Sequence, residues 1–205
     1  MRNYLAFILA TLLSGSLLAV PVADPRDPDV IVEEATSHIL ESLNSRRDEF
    51  TADPSLLLDL VNQDMLPLLD IEYSARLILG REGRNVSQEE LDAFATAMSE
   101  HLLARYAEGM LGFNSDEQLE VLPLKGKNSE KLTRVRTRFK LQNGGYVPVD
   151  FAFRKTELGW KAFDVTIEGI SYVMTYRNQI APRVAEVGIA QVTADIRAGN
   201  ISLEQ

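Results

Sequence analysis

The residues that could carry acid–base or metal chemistry are few, and none has the spacing of a known catalytic motif. His38 and His101 lie far apart, and the chain has no cysteine. A zinc site would therefore need both histidines together with carboxylates, and no HExxH spacing supports one. Gly169-Ile170-Ser171 lacks the Gly-x-Ser-x-Gly pattern of a nucleophile elbow. These patterns argue against hydrolytic and metal-dependent chemistry.

Two carboxylates in predicted strands, Asp150 and Asp164, remain as candidate general bases. Asp164 stands in an apolar segment, and steroid isomerases use such an aspartate as a base. Because a buried carboxylate usually keeps a charged partner, we favour a structural pair, with Arg177 of the next helix as the partner. The sequence thus predicts no catalytic residue, no metal and no cofactor.

The start of the chain has the pattern of a secretory signal peptide. Arg2 precedes an apolar run, Leu5–Leu13, and the small residues Ala19 and Ala23 suit cleavage. The run is too short to span a bilayer comfortably, and no basic stop-transfer cluster follows it. We therefore expect a signal peptide over 1–23, a single domain over 24–205, and export to the bacterial periplasm.

Charge is unevenly distributed along the chain. The formal net charge of −9 argues against nucleic-acid binding, which favours a basic surface. Yet the segment from Lys125 to Lys155 holds nine basic and two acidic residues. Without cysteines, stability cannot depend on disulfides and must come from a hydrophobic core.

Helix signals fill the first half of the chain. A first helix is predicted from about Asp29 to Arg47, because Val32, Ala35, Ile39 and Leu43 recur at helical spacing. Asp53-Pro54 begins a second helix that Pro67 ends, and Asp70 caps a third that Gly80 terminates. Ser87 and Glu90 form a capping box. It opens a long helix with one apolar face, formed by Leu91, Phe94, Met98, Leu102, Tyr106 and Met110.

Four strands follow, and then helix again. The first covers Leu119–Leu124, and the second alternates apolar and basic residues over 133–141. Asn143-Gly144-Gly145 makes a turn into the third, and the fourth is Trp160–Ile167. Ser171 caps a last helix with the stripe Val173, Ile180, Val184 and Val187. Short turns make neighbouring strands antiparallel, which predicts an α+β fold.

The apolar faces of this sheet and of the long helix have two structural interpretations. Close packing favours a filled core, whereas a gap between them would admit an apolar ligand. The side chains that would line such a cavity are Phe94, Met98, Leu102, Tyr106, Val135, Phe139, Val147, Val149, Phe151, Phe153 and Val173. Periodicity alone favours the filled core.

The C-terminal third favours the cavity. Gly159–Val173, followed by Tyr176-Arg177, closely resembles the signature of the MlaC family of periplasmic phospholipid-binding proteins, also called toluene-tolerance proteins. Further similarity extends along the mature chain, at Asp70, Ala75-Arg76, Leu79-Gly80, Ser87 to Phe94, Tyr106 and Val147 to Asp150.

The resemblance implies a fold and a function. The fold is a curved, antiparallel four-stranded sheet packed against N-terminal and C-terminal helices, NTF2-like, with an apolar cavity. The function is a carrier that shuttles phospholipid between an outer-membrane lipoprotein/porin complex and an inner-membrane ABC transporter with MCE domains. Its cavity would lie at or beyond the upper end of ordinary ligand pockets, about 1,000 Å³.

The basic strand has two interpretations. Arg134, Arg136, Arg138 and Lys140 alternate with the inward residues and so lie on the face opposite the cavity. They could dock an acidic partner or an anionic bilayer surface. Alternatively, they form an ordinary solvated outer face.

Two other classes of protein stay open. An isomerase- or cyclase-type enzyme of NTF2-like fold would place Asp150 or Asp164 inside the cavity. A periplasmic chaperone or adaptor would have a filled core and an exposed apolar groove.

Overall fold

Seven α-helices and five strands make up the part of the chain that the computed structural model describes, residues 23–110, 118–124, 128–141 and 144–201. The helices are α1 (Pro28–Ser45), α2 (Arg47–Ala52), α3 (Pro54–Asp64), α4 (Ile71–Leu79), α5 (Gln88–Met110), α6 (Tyr172–Val187) and α7 (Ile189–Arg197). The strands are β1 (Gln118–Val121), β2 (Thr133–Lys140), β3 (Tyr146–Thr156), β4 (Gly159–Ile167) and β5 (Ile170–Ser171). The predicted signal peptide, apart from Ala23, and part of the turn at Asn143 lie outside the described residues.

The strands form one antiparallel, curved and unclosed sheet in the order β1-β2-β3-β4-β5. This confirms the predicted α+β class, with one more strand than the four expected. The addition is the two-residue β5, which pairs with the end of β4. It forms because Glu168 and Gly169 both adopt positive φ (51° and 85°), so the chain turns back tightly.

The helix boundaries follow the capping signals of the sequence. The Asp53 carboxylate accepts a hydrogen bond from the Ser55 N–H, and that of Asp70 accepts one from the Tyr73 N–H. In the capping box, Glu90 accepts from the Ser87 N–H, and the Ser87 hydroxyl accepts from the Glu90 N–H. These contacts satisfy amides that the first helical turn leaves free.

The C-terminal helix is divided, unlike the single helix expected. Gly188 (φ 84°) separates α6 from α7, and Val187, assigned to the apolar stripe, is exposed. The stripe resumes on α7 with Ile189, Val192 and Ile196, which are buried.

Buried side chains form three clusters. One joins α4, α5, α6 and α7, and a second joins α1, α2 and α3. The third lies between α1 and the sheet, with Ile31, Val32, Val135, Phe153 and Ala162 at its centre. The helix that covers the sheet is therefore α1, whereas α5 packs against α3, α4 and α7.

Candidate functional site

An apolar cavity of about 240 Å³ lies between α1 and the inner face of the sheet. Thirteen of its fourteen lining side chains are apolar, the exception being Thr36, and none is charged. The lining residues are Ile31, Val32, Ala35, Thr36, Ile39, Leu40, Leu43, Met65, Leu68, Leu69, Phe139, Phe151, Phe153 and Ala162. Such a lining suits a hydrocarbon ligand and offers nothing to a buried charge.

Helix α1 supplies half of this lining. Its apolar residues recur at intervals of three and four, which puts them on one face of the helix. Pro28 begins the helix, because its fixed φ suits the first turn. Ile31 and Leu43 are fully buried, whereas Ala35 and Leu40 are partly exposed at the cavity.

The sheet supplies the opposite wall. Phe139 of β2 and Phe151 and Phe153 of β3 point to the same face, because residues two apart in a strand share a side. On β4 the small side chain of Ala162 pairs with Phe153. The pairing of β3 with β4 is irregular here, with a register shift between Ala152 and Phe153.

A third wall, Met65–Leu69, is tied to β4. It contains a 3₁₀ turn over Leu66–Leu68. The Asp70 N–H donates to the Ala162 carbonyl (2.8 Å), and the Lys161 ammonium donates to the Pro67 carbonyl (2.6 Å). The Asp70 carboxylate, which caps α4, also pairs with Arg154 (2.6 Å).

The N-terminal end of α1 is held to the turn between β3 and β4. The Asp24 N–H donates to the Leu158 carbonyl (3.1 Å). The Arg26 guanidinium binds both the Asp24 carboxylate (2.9 Å from Nε) and Glu34 (2.6 Å). The hydrogen bonds from Arg26 lower the pKa of Asp24 to about 2. These contacts, which we name the clasp, fix the start of α1 beside the turn between β3 and β4.

Three of the predicted cavity residues, Phe139, Phe151 and Phe153, line the cavity. Val135 is fully buried beside it in the same cluster as Phe153. Val149 is buried and Val147 partly buried on the same sheet face, since they pair with Thr137 and Phe139. Neither valine lines the cavity described here.

Four other predicted residues lie elsewhere. Phe94, Met98 and Val173 are buried in the cluster of α4 to α7, and Leu102 packs against it. The reason is that α5 is covered by helices on the side expected to face the sheet. The side chain of Tyr106 lies outside the described residues. These four residues therefore lie outside the lining of this cavity, and their contact with lipid stays a prediction.

Sequence reasoning missed the contribution of α1. The stripe of Val32, Ala35, Ile39 and Leu43 is visible in the sequence, but its spacing predicts only a helix, and none of these residues is in the expected cavity lining. The signal that could have identified the wall is the length of this stripe, which continues through Ile31 and Leu40.

The basic residues of β2 lie on the outer face of the sheet and are partly neutralised by their neighbours. Arg138 pairs with Glu120 (2.6 Å) and stacks on the Tyr146 ring. Arg134 lies 3.9 Å from Asp150, and Arg136 donates to the Pro123 carbonyl. Lys140 is exposed.

The two candidate bases lie outside the cavity. Asp150 faces Arg134 on the outer side of the sheet. Asp164 accepts hydrogen bonds from the Ser171 hydroxyl (2.6 Å) and the Val173 N–H (3.0 Å), not from Arg177 as expected. The Arg177 guanidinium instead lies against Gly80, at the C-terminal end of α4, where a cation complements the helix dipole.

The histidines are also separate from the cavity lining. His38, in the middle of α1, contacts Asp64 at the C-terminal end of α3 (3.1 Å). Burial, with a smaller contribution from Arg105, lowers the pKa of His101. Over the described ranges, no cluster of three or more histidine, aspartate or glutamate side chains could hold a metal ion.

No helix in the described part of the chain has the length and apolarity needed to cross a membrane.

Comparison with known proteins gives relatives that cover most of the chain. The intermembrane phospholipid transport system binding protein MlaC of Haemophilus influenzae is 23% identical over 80% of this chain and 78% of its own length. The toluene tolerance protein ttg2D of Pseudomonas putida is 22% identical over 88% of this chain and 82% of its own.

A solved structure has the same fold. It is a phospholipid-binding protein from Ralstonia solanacearum in complex with a phospholipid, with a TM-score of 0.75 and 21% identity. The alignment covers 85% of this chain and 98% of that one. The family model described as MlaC protein matches residues 33–198, which include most of α1 and every strand. The chain therefore belongs to the MlaC protein family.

Proposed function

We propose that this protein is a periplasmic phospholipid carrier that holds acyl chains between α1 and the inner face of the sheet. The observation that carries the proposal is the cavity itself, lined by thirteen apolar side chains and no charged one. It occurs in a member of a family whose relatives include an intermembrane phospholipid transport binding protein. The apolar lining fits a ligand that is carried rather than converted.

The driving force is the removal of methylenes from water. Each buried methylene is worth about 0.8 kcal/mol, so a lipid cannot cross an aqueous compartment at a useful rate without shielding. A charged head group has no partner in the lining and would stay at the mouth, in water.

Loading requires the cavity to widen. Ordinary small-molecule pockets measure about 300–1,000 Å³, and a two-chain phospholipid belongs at or above the upper end. The cavity of about 240 Å³ is smaller than expected and cannot take both chains as it stands. Met65–Leu69 is hydrogen-bonded to β4, whereas α1 beyond its N-terminal clasp faces the cavity mainly with apolar side chains, so α1 is the wall that we expect to move.

The experiment is native mass spectrometry of the protein purified without added lipid. We expect a co-purifying phospholipid. In Ala35→Glu the new carboxylate points into the cavity, so lipid retention should be lost. Ser37→Glu is the matched control, because it adds the same charge to an exposed position of the same helix. An empty wild-type protein, or equal retention in both variants, would contradict the proposal.

We also propose which partners the carrier exchanges lipid with. The carrier would exchange lipid with an outer-membrane lipoprotein/porin complex and an inner-membrane ABC transporter with MCE domains. The support is the outer face of β2 and β3, where Arg136 and Lys140 have no described acidic partner. Tyrosine and arginine are enriched at protein interfaces, and Tyr146, stacked under Arg138, is exposed there.

A further inference from the structure

Exposure varies along the cavity lining. Where the start of α1 meets β3 and β4, Ile31, Val32, Phe153 and Ala162 are at most 5% exposed, and we name this group the floor. At the other end Leu40, Met65 and Phe139 are partly exposed. An acyl chain that enters between the exposed residues would therefore end with its methyl group at the floor.

The floor is the best-anchored part of the cavity. The Ala162 carbonyl accepts from the Asp70 N–H, and the neighbouring Phe163 carbonyl accepts from the Ser74 hydroxyl (2.7 Å). The clasp of Asp24 on Leu158 and Arg26 holds the start of α1 against the same end of the sheet. When a lipid chain enters, a wall that is hydrogen-bonded on both sides moves less than a wall held by side-chain packing alone.

We propose that the floor, through the small side chain of Ala162, sets the longest acyl chain that this carrier holds fully buried. The inference rests on the proposed function and specifies its ligand by chain length. A chain that reaches the floor cannot advance, so each additional methylene must remain at the mouth in water. Each one left there weakens binding by about fourfold.

The test uses vesicles of known composition. The full-length mature protein is incubated with equal amounts of saturated phosphatidylcholines whose chains have fourteen, sixteen or eighteen carbons. Native mass spectrometry then gives the occupancy of each. Ala162→Leu should raise the ratio of fourteen- to eighteen-carbon lipid by at least about fourfold, because one methylene at the mouth is worth that factor. Ala162→Gly should shift the ratio the other way.

The matched control is Ala152→Leu. Ala152 is as buried as Ala162, at 4% exposure, but it pairs with Asp164 and does not line the cavity. Ala152→Leu therefore adds the same volume on a neighbouring strand. We expect this variant to bind the three lipids in the same ratio as the wild type.

The outcomes separate this inference from the proposed function. Lipid bound with the same chain-length profile in Ala162→Gly as in the wild type would overturn the role of the floor, even if Ala162→Leu failed to fold. Wild-type protein that takes up none of the three lipids would overturn the carrier function itself.

Discussion

The Asp164 carboxylate accepts a 2.6 Å hydrogen bond from the Ser171 hydroxyl, and that hydroxyl accepts from the Met174 N–H at the start of α6. A strand residue thus holds the N-cap of the helix that follows it. The second carboxylate oxygen accepts from the Val173 N–H, so Asp164 satisfies one amide of the helix start directly and supports the cap of a second through Ser171. These contacts give Asp164 a structural role outside the cavity.

We predict that Ser171→Ala lowers the free energy of unfolding by about 1 kcal/mol, as loss of an N-cap does. Asp164→Ala should cost more, about 1–3 kcal/mol, because it also leaves the Val173 N–H unpaired. Chemical denaturation measures both changes. Folded Asp164→Asn should keep its lipid, and loss of lipid from that variant would place the carboxylate in the ligand site.

We predict that acid weakens the clasp at Asp24. Its pKa is lowered from an ordinary 3.8 to about 2, so the folded protein binds this proton less readily than the unfolded chain. The stabilisation is therefore complete above about pH 4 and is lost as the pH falls through about 2. Melting temperatures between pH 5 and pH 2 should fall less in Asp24→Asn than in the wild type. Asp59→Asn, on an exposed position of α3, should behave like the wild type.

We predict that acid also destabilises the fold through His101. Its Nε2 is buried without a hydrogen-bond partner among the described residues, and burial lowers its pKa. The unfolded chain takes up this proton first, so stability falls as the pH drops below about 6.5. His101→Leu should raise the melting temperature by about 2–4 °C at neutral pH, since a buried unpaired polar atom costs at least about 1 kcal/mol.

The gain from His101→Leu should widen toward pH 5. Both proteins should carry His38→Gln, so that no other histidine titrates in this range. Parallel melting curves across pH 7 to 5 would show that His101 does not contribute to the pH dependence.

We predict that the outer face of β2 mediates docking. Reversing Arg134, Arg136 and Arg138 to glutamate should slow lipid transfer to both membrane partners by at least about tenfold, with the loss greatest at low salt. Transfer assays with reconstituted partners measure the rates. Reversal of Arg46, Arg76 and Arg183, which lie on helices or, for Arg46, between α1 and α2, changes the net charge equally and serves as the control. Equal rates in the two triple variants would refute docking through this face.

Much of the architecture could be predicted from local signals. The caps at Asp53, Asp70, Ser87 and Ser171 were readable because each depends on a few consecutive residues. The strand faces were readable because apolar and basic residues alternate, which is how Phe139 and Phe151 were placed at the cavity.

The covering helix could not be predicted in the same way. Both α1 and α5 carry apolar stripes, and periodicity shows only that a stripe is buried, not which surface buries it. Phe94 and Met98 were therefore assigned to the sheet, although α4 and α7 cover them. The partner of Asp164 was missed for a related reason, since the tight turn at Glu168 brings Ser171 back beside β4.

The clasp between Asp24 and Leu158 also bears on the order of folding. It joins the segment before α1 to the turn that precedes β4, so most of the chain must be synthesised before it can form. Until then the apolar face of α1 has no sheet to pack on, and contacts so distant in sequence form slowly. We therefore expect newly made chains to pass through an aggregation-prone stage that ends only when the third and fourth strands pair.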